Sequence, residues 1–163
     1  MGAPPSDATL VVDKAGIGFA AAHFSILEGG SERIHGHNYH VAARAFGRVG
    51  ADGTVVDFGR IKAALAAECD ALDHRMLLPG ESSAVRLDDD GGGGVEVVEG
   101  ARRFVFPADE VCVLPVPNTT CECLAGYLAE RLRERLGDLP VRLEVTVEES
   151  PGQGVTVAEA EPF

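Results

Sequence analysis

The chain is poor in positive charge: 14 lysines and arginines stand against 26 aspartates and glutamates, a formal net charge of −12 over 163 residues. That balance argues against nucleic acid or an anionic membrane surface as the partner. Long hydrophobic runs are also missing, so no segment is expected to span a bilayer. The opening Met1-Gly-Ala-Pro-Pro-Ser-Asp7 has neither the basic region nor the apolar run of a secretory signal. Cysteine is sparse. Cys69, Cys112, Cys121 and Cys123 form no C-x-x-C pair and are too few for a disulfide scaffold, which points to a reducing, cytoplasmic setting.

What is present is an ordinary globular composition, 45% hydrophobic and 25% charged, enough for one domain over residues 1–163. Residues 8–22 and 35–48 read as two strands paired antiparallel across a loop at 24–34. Glycines in the first suggest a bulge, and Val41, Ala43 and Ala45 share one face of the second. Asp57 is placed to cap a helix running to about Leu72, with Phe58, Ile61, Leu65, Cys69 and Leu72 as its stripe. A second helix is announced by the capping-box pattern Thr119-Thr-Cys-Glu122, the leucines 124, 128, 132 and 136, and Gly137 as the stop.

Residues 140–149 alternate strictly, Val141, Leu143, Val145 and Val147 against Arg142, Glu144, Thr146 and Glu148, and residues 154–159 supply an edge strand. Residues 79–110 break the pattern. Their acidic, glycine-rich 88–94 tip and short apolar runs predict a β-hairpin insertion too short for its own core. The element order predicts an α+β fold: an antiparallel sheet with two helices on one face, whose uncovered edges favour assembly between subunits.

Of five histidines, three fall close together: His23, His35 and His37. Residues i and i+2 of a strand share a face, and a third imidazole from the adjacent strand completes three corners of a tetrahedron. Such a set leaves one position open, as catalytic zinc sites do. His40 has the opposite parity and should face away. Asp73-His74 follows the first helix; a carboxylate beside an imidazole suits proton transfer near neutral pH, although sequence neighbours need not face each other. Glu149 shares the inward parity of Val145 and Val147, where a carboxylate needs a partner such as an amidine-like ligand edge.

The segments Phe19-Ala-Ala-Ala-His23, His35-Gly-His-Asn-Tyr39, Val56-Asp-Phe-Gly59, Leu72-Asp-His74, Asn118-Thr-Thr-Cys-Glu122 and Glu148-Glu-Ser-Pro-Gly152 occur in that order. Together they resemble the 6-pyruvoyltetrahydropterin synthase and 6-carboxytetrahydropterin synthase family over residues 8–158, interrupted by the insertion. The resemblance implies a tunnelling fold, in which subunits close into a trimeric barrel and often pair as hexamers, with active sites between subunits. It implies Zn²⁺ held by His23, His35 and His37, a proton relay at Asp73 and His74, and a pterin ring anchored by Glu149 with Thr119 and Thr120 nearby. Lys14, Arg33 and Arg75 are candidate donors to a substrate triphosphate.

One departure redirects the expected chemistry. Many members carry a catalytic cysteine four residues before the His-Gly-His segment; here that position is Ser31, and no cysteine occurs before Cys69. Glu32 stands three residues before His35. The pattern Glu-x-x-His-Gly-His resembles a subgroup with glutamate in place of cysteine, which is associated with cleaving 7,8-dihydroneopterin triphosphate to 6-hydroxymethyl-7,8-dihydropterin. The expectation is therefore a zinc-dependent lyase forming that product. The alternatives are a 6-carboxy- or 6-pyruvoyl-tetrahydropterin synthase and a non-catalytic pterin- or purine-binding homologue.

Overall fold

The computed structural model describes residues 6–159. In chain order the elements begin with β1 (Asp7–His23), β2 (Ile26–Leu27), β3 (Gly30–Ser31), β4 (His35–Arg48) and α1 (Phe58–Leu72). They continue with β5 (Arg75–Pro79), β6 (Arg86–Asp89), β7 (Gly94–Glu99), β8 (Arg102–Pro107) and β9 (Val111–Leu114). The chain closes with α2 (Cys121–Leu136), β10 (Val141–Ser150) and β11 (Gln153–Ala158). No helix among the described residues is long and apolar enough to cross a membrane.

The main sheet runs β11-β10-β4-β1-β5-β9. Its first four strands are antiparallel, as the alternating sequence of β10 and β4 predicts. β5 and β9 extend it in parallel, an addition the sequence pattern does not announce. Nearly all of β5 is buried, so its apolar run carries no period. β1 and β4 slip register between Asp13 and Gly18, where the glycines lie, and thereafter Phe19 stacks on Tyr39 at 4.7 Å.

Both helices cover the same face of the sheet. Ile61, Leu65, Cys69 and Leu72 of α1 and Leu124, Leu128, Leu132 and Leu136 of α2 are buried against Val41, Ala43, Ala45, Leu143, Val145 and Val147. Each such leucine contributes about 1.5–3 kcal/mol by leaving water. Burial pushes the Cys69 thiol up to about 12, in keeping with an inert core residue. Phe58, placed on the α1 stripe by spacing, is instead 56% exposed at the first helical position. Asp57 caps α1 by accepting from Gly59 N–H at 2.8 Å. For α2 the cap falls one residue later than expected. The Thr119 hydroxyl donates to the Phe24 carbonyl at 2.7 Å, so Thr120 becomes the N-cap and no capping box forms with Glu122.

The insertion is a three-stranded meander, β6-β7-β8, rather than a hairpin. It builds a second small core in which Val85 and Val97 meet Phe24, Met76 and Leu78, with Ile26, Ile34, Phe104 and Phe106 packed around them. The insertion therefore rests on the 24–34 segment, and its core is shared with that segment rather than its own.

Arg133 ties the end of α2 to the sheet. Its guanidinium donates to both Glu159 oxygens at 2.7 Å and to the Gly137 and Leu139 carbonyls at 3.1 Å. Burial alone would raise the Glu159 carboxyl, but Arg133 and the Leu143 N–H outweigh it and hold it below the usual 4.5. A carboxyl depressed in the folded state stabilises the fold at pH values above 4.5 and loses that contribution as pH falls toward its folded value. Arg133→Ala is expected to cost about 2–3 kcal/mol in urea melts at pH 7. Glu159→Gln should be destabilising at pH 7 but converge on the parent protein as the pH drops below 4.5; an equal deficit at both pH values would contradict the pairing.

Candidate metal centre

β1 ends and β4 begins at the same edge, and their register sets His23 opposite His35 and Ala21 opposite His37. The three imidazoles project to the helix-covered side, with ring centroids 4.6, 4.9 and 5.3 Å apart. One ligand atom from each lies within 4.8 Å of the others. His40, of opposite parity, is on the other face, 2.7 Å from Asp13.

Backbone carbonyls settle which nitrogens face inward. His23 Nδ1 is 2.9 Å from the Thr119 carbonyl and His35 Nδ1 is 2.8 Å from that of Arg33. A carbonyl only accepts, so each Nδ1 carries the hydrogen and each Nε2 presents a lone pair. His23 Nε2, His37 Nε2 and the Tyr39 hydroxyl are buried with no hydrogen-bond partner among the described residues. Unpaired polar atoms at such depth are costly, and a cation among the imidazoles would satisfy the two nitrogens. Burial lowers the pKa of His23, opposed by the Thr119 carbonyl and reinforced by His35 and His37. The neutral form it favours is the one that ligates a metal. The donor set fits a three-histidine site with an open position, its tautomers held by second-layer carbonyls.

Around this cradle lies a pocket of about 340 Å³, also lined by Ser25, Glu32, Thr120, Cys121, Glu149 and Gln153. Glu32 sits on the loop between β3 and β4. Its N–H donates to the Ser25 carbonyl at 2.9 Å, and its carboxylate accepts from the Ser25 N–H at 3.3 Å. Glu149 enters at a slip in the β10–β11 register between Glu148 and Ser150, its Oε2 3.8 Å from His37 Nε2.

Cys121 escaped the sequence reading, although it stands inside the Asn118–Glu122 motif as the first residue of α2. Its thiol points at Glu149 Oε2, 3.8 Å away. Burial, then Glu149 and Glu122, push that thiol up to about 11, so it remains a protonated donor near neutral pH. Thr120 lines the pocket while capping α2, but Thr119 does not face it. Thr119 is fully buried, its hydroxyl spent on Phe24 and its carbonyl on His23, so it is placed to orient a ligand rather than to touch a substrate.

Asp73 and His74 form a built pair outside this pocket. Asp73 accepts from the Ala20 N–H and pairs with His74 Nδ1, both at 2.7 Å, while the His74 N–H donates to the Ala20 carbonyl at 2.7 Å. The Ala20 N–H, followed by His74, holds the Asp73 carboxyl below the usual range. His74 adopts a left-handed backbone, φ 56°, and its side chain is 82% exposed. Non-glycine residues keep that conformation only where the surroundings hold it. His74 lines a second depression with Ala20, Ala22, Asn38, Arg75 and Met76, which borders the metal pocket at His37, a residue lining both.

A family model described as 6-pyruvoyl tetrahydropterin synthase matches residues 14–160. The chain belongs to this family. A Methanocaldococcus jannaschii protein provisionally named 6-carboxy-5,6,7,8-tetrahydropterin synthase is 34% identical over 145 residues, covering 86% of this chain and 88% of that one. The solved 6-pyruvoyl tetrahydropterin synthase of Plasmodium falciparum superposes with a TM-score of 0.91 at 27% identity, over 96% of this chain and all of that one. The Plasmodium vivax enzyme gives the same TM-score and coverage at 29% identity, and it has also been solved with a glutamate described as catalytic replaced by alanine or by cysteine.

His37→Ala, which removes one lone pair from the cradle, is expected to weaken Zn²⁺ binding by roughly a hundredfold or more in chelator competition. Undiminished affinity in that variant would place any metal elsewhere.

Proposed function

We propose that the chain is a zinc-dependent lyase that converts 7,8-dihydroneopterin triphosphate to 6-hydroxymethyl-7,8-dihydropterin. The observation that carries this reading is the Glu32 carboxylate in the lining of the three-imidazole pocket, whose only thiol among the described residues is Cys121. The glutamate described as catalytic in the P. vivax relative supports it. His23, His35 and His37 would hold the zinc, which when bound supplies Lewis acidity toward the oxygens of the substrate side chain.

The chain's own residues account for the rest. The two oxygens of Glu149 match the paired N–H donors on the amidine-like edge of a pterin and set the ring's orientation. Glu32 then takes the proton from the distal hydroxyl of the side-chain diol. That oxygen forms a carbonyl, the carbon–carbon bond between the two hydroxyl-bearing carbons breaks, and its electron pair enters the imine of the ring. A proton returned to the ring-side carbon leaves the hydroxymethyl group, and the triphosphate departs on an aldehyde. No oxidant is needed. Asp73 holds His74 as the proton carrier; the His74 side chain is exposed and absent from the metal pocket's own lining, and in this reading it serves the pocket of a neighbouring subunit. The assembly proposed with this reading is a homotrimer or homohexamer with active sites between subunits.

A second reading, a 6-carboxytetrahydropterin synthase, is favoured by the names of the curated relatives. Product analysis separates the two. The zinc-loaded protein incubated with 7,8-dihydroneopterin triphosphate should yield the mass of 6-hydroxymethyl-7,8-dihydropterin, and Glu32→Ala should lower kcat by about 100-fold or more. A 6-carboxytetrahydropterin product would select the second reading, and full activity in Glu32→Ala would remove Glu32 as the base. Glu149→Gln should act on recognition, raising KM for the pterin about tenfold or more with a smaller change in kcat; an unchanged KM would contradict the anchor.

A further inference from the structure

The segment that carries Glu32 has little structure of its own: β2 and β3 are two residues each. Its position is imposed from outside at both ends. Near its start, the Asn118 side chain donates to the Ile26 carbonyl at 2.9 Å and accepts from the Ile26 N–H at 3.0 Å. At its far end the turn between β7 and β8 takes hold of Ser31. Glu99 accepts from the Ser31 N–H at 2.7 Å and from the Ser31 hydroxyl. Arg102 donates to the Ser31 carbonyl at 2.9 Å, to the Ser31 hydroxyl, and through both terminal nitrogens to the Glu32 carbonyl at 3.2 and 3.3 Å. Arg102 also pairs with Glu99 at 3.3 Å. Gly30, at φ +107°, lets the backbone pass so close that a Cβ there would lie 3.2 Å from the Glu99 carboxylate.

We propose that Glu99 and Arg102 of the insertion are positioning residues for Glu32, and that Ser31 is the handle they grip rather than a reacting group. The inference rests on the reading of Glu32 as the base. Successive side chains of an extended segment project to opposite sides. Holding Ser31 on the insertion side therefore turns Glu32 toward the imidazoles, and Ser31 is absent from the pocket lining while Glu32 is part of it. Charge-assisted bonds from a guanidinium and a carboxylate are strong enough to fix a short segment whose own ladder is only the two pairs Ile26–Ser31 and Leu27–Gly30. Ser31 occupies the position expected of a catalytic cysteine. In this chain a thiol there would face Glu99, away from the pocket and beside a charge that opposes thiolate formation. The insertion and the exchange of residue types at 31 and 32 thus form one device.

The test uses the full zinc-loaded chain and 7,8-dihydroneopterin triphosphate. Arg102→Ala and Glu99→Ala should each lower kcat by roughly 10- to 100-fold, with KM and zinc content near those of the parent. Arg102→Lys should recover part of the loss. Hydrogen exchange should quicken at residues 26–32 in Arg102→Ala and stay unchanged in Arg103→Ala, whose side chain pairs with Glu96 instead. Ser31→Cys placed in the Glu32→Ala background should not restore turnover. An unchanged kcat in Arg102→Ala while Glu32→Ala is inactive would overturn the positioning role alone, as would exchange that quickens across the whole chain or rescue by Ser31→Cys. Parent-level turnover in Glu32→Ala would instead overturn the reading of the base, and the two failures are told apart by that variant.

Discussion

The antiparallel register of β1 against β4 is the constraint from which the site is built, because it alone decides which side chains of two long strands meet at their shared end. It pairs His23 with His35 and brings His37 beside them. A slip of one residue would turn His35 and His37 to the uncovered face, where His40 pairs with Asp13. Gly18 guards this register. A Cβ there would lie 2.1 Å from the Tyr39 carbonyl, so the strands can cross closely after the bulge only because that position has no side chain. The Phe19–Tyr39 stack then carries the alignment toward the histidines.

The rest of the fold supplies the surroundings of those imidazoles. The leucine stripe of α2 anchors a helix whose leading residues all serve the site: Asn118 holds Ile26, Thr119 orients His23, and Thr120 caps the helix at the pocket wall. The Arg133–Glu159 pair fixes the other end of that helix to the strands that deliver Glu149. Core packing and chemistry are therefore coupled through a few backbone carbonyls. A loosened α2 would free the Thr119 carbonyl and with it the tautomer of His23.

Period-bearing elements were legible in the sequence. The alternation of β10, the leucines of α2, the Asp57 cap and the parity of His23, His35, His37 and His40 all carry through to the structure, because each depends on spacing within one segment. What was illegible depends on contacts between distant segments. β5 and β9 are short and largely without alternation, so nothing in their pattern announces parallel pairing. Thr119 and Thr120 differ only in which carbonyl is within reach, and Phe24, nearly a hundred residues away, decides it. The hold of Glu99 and Arg102 on Ser31 joins residues about seventy apart, and two charged residues at a hairpin turn read as ordinary surface until the fold brings them to that loop.

In the proposed reaction three imidazoles and Glu32 converge on one bound side chain while Glu149 holds the ring. A crystal structure of the protein with zinc and the unreactive analogue neopterin tests it directly. Zinc is expected about 2.0–2.1 Å from Nε2 of His23, His35 and His37. The Glu149 carboxylate is expected on the ring's amidine edge, and the Glu32 carboxylate within about 3 Å of a side-chain hydroxyl. Zinc bound through Nδ1 or elsewhere, or Glu32 turned to solvent while Cys121 approaches the diol, would contradict the proposed roles of the histidines and Glu32.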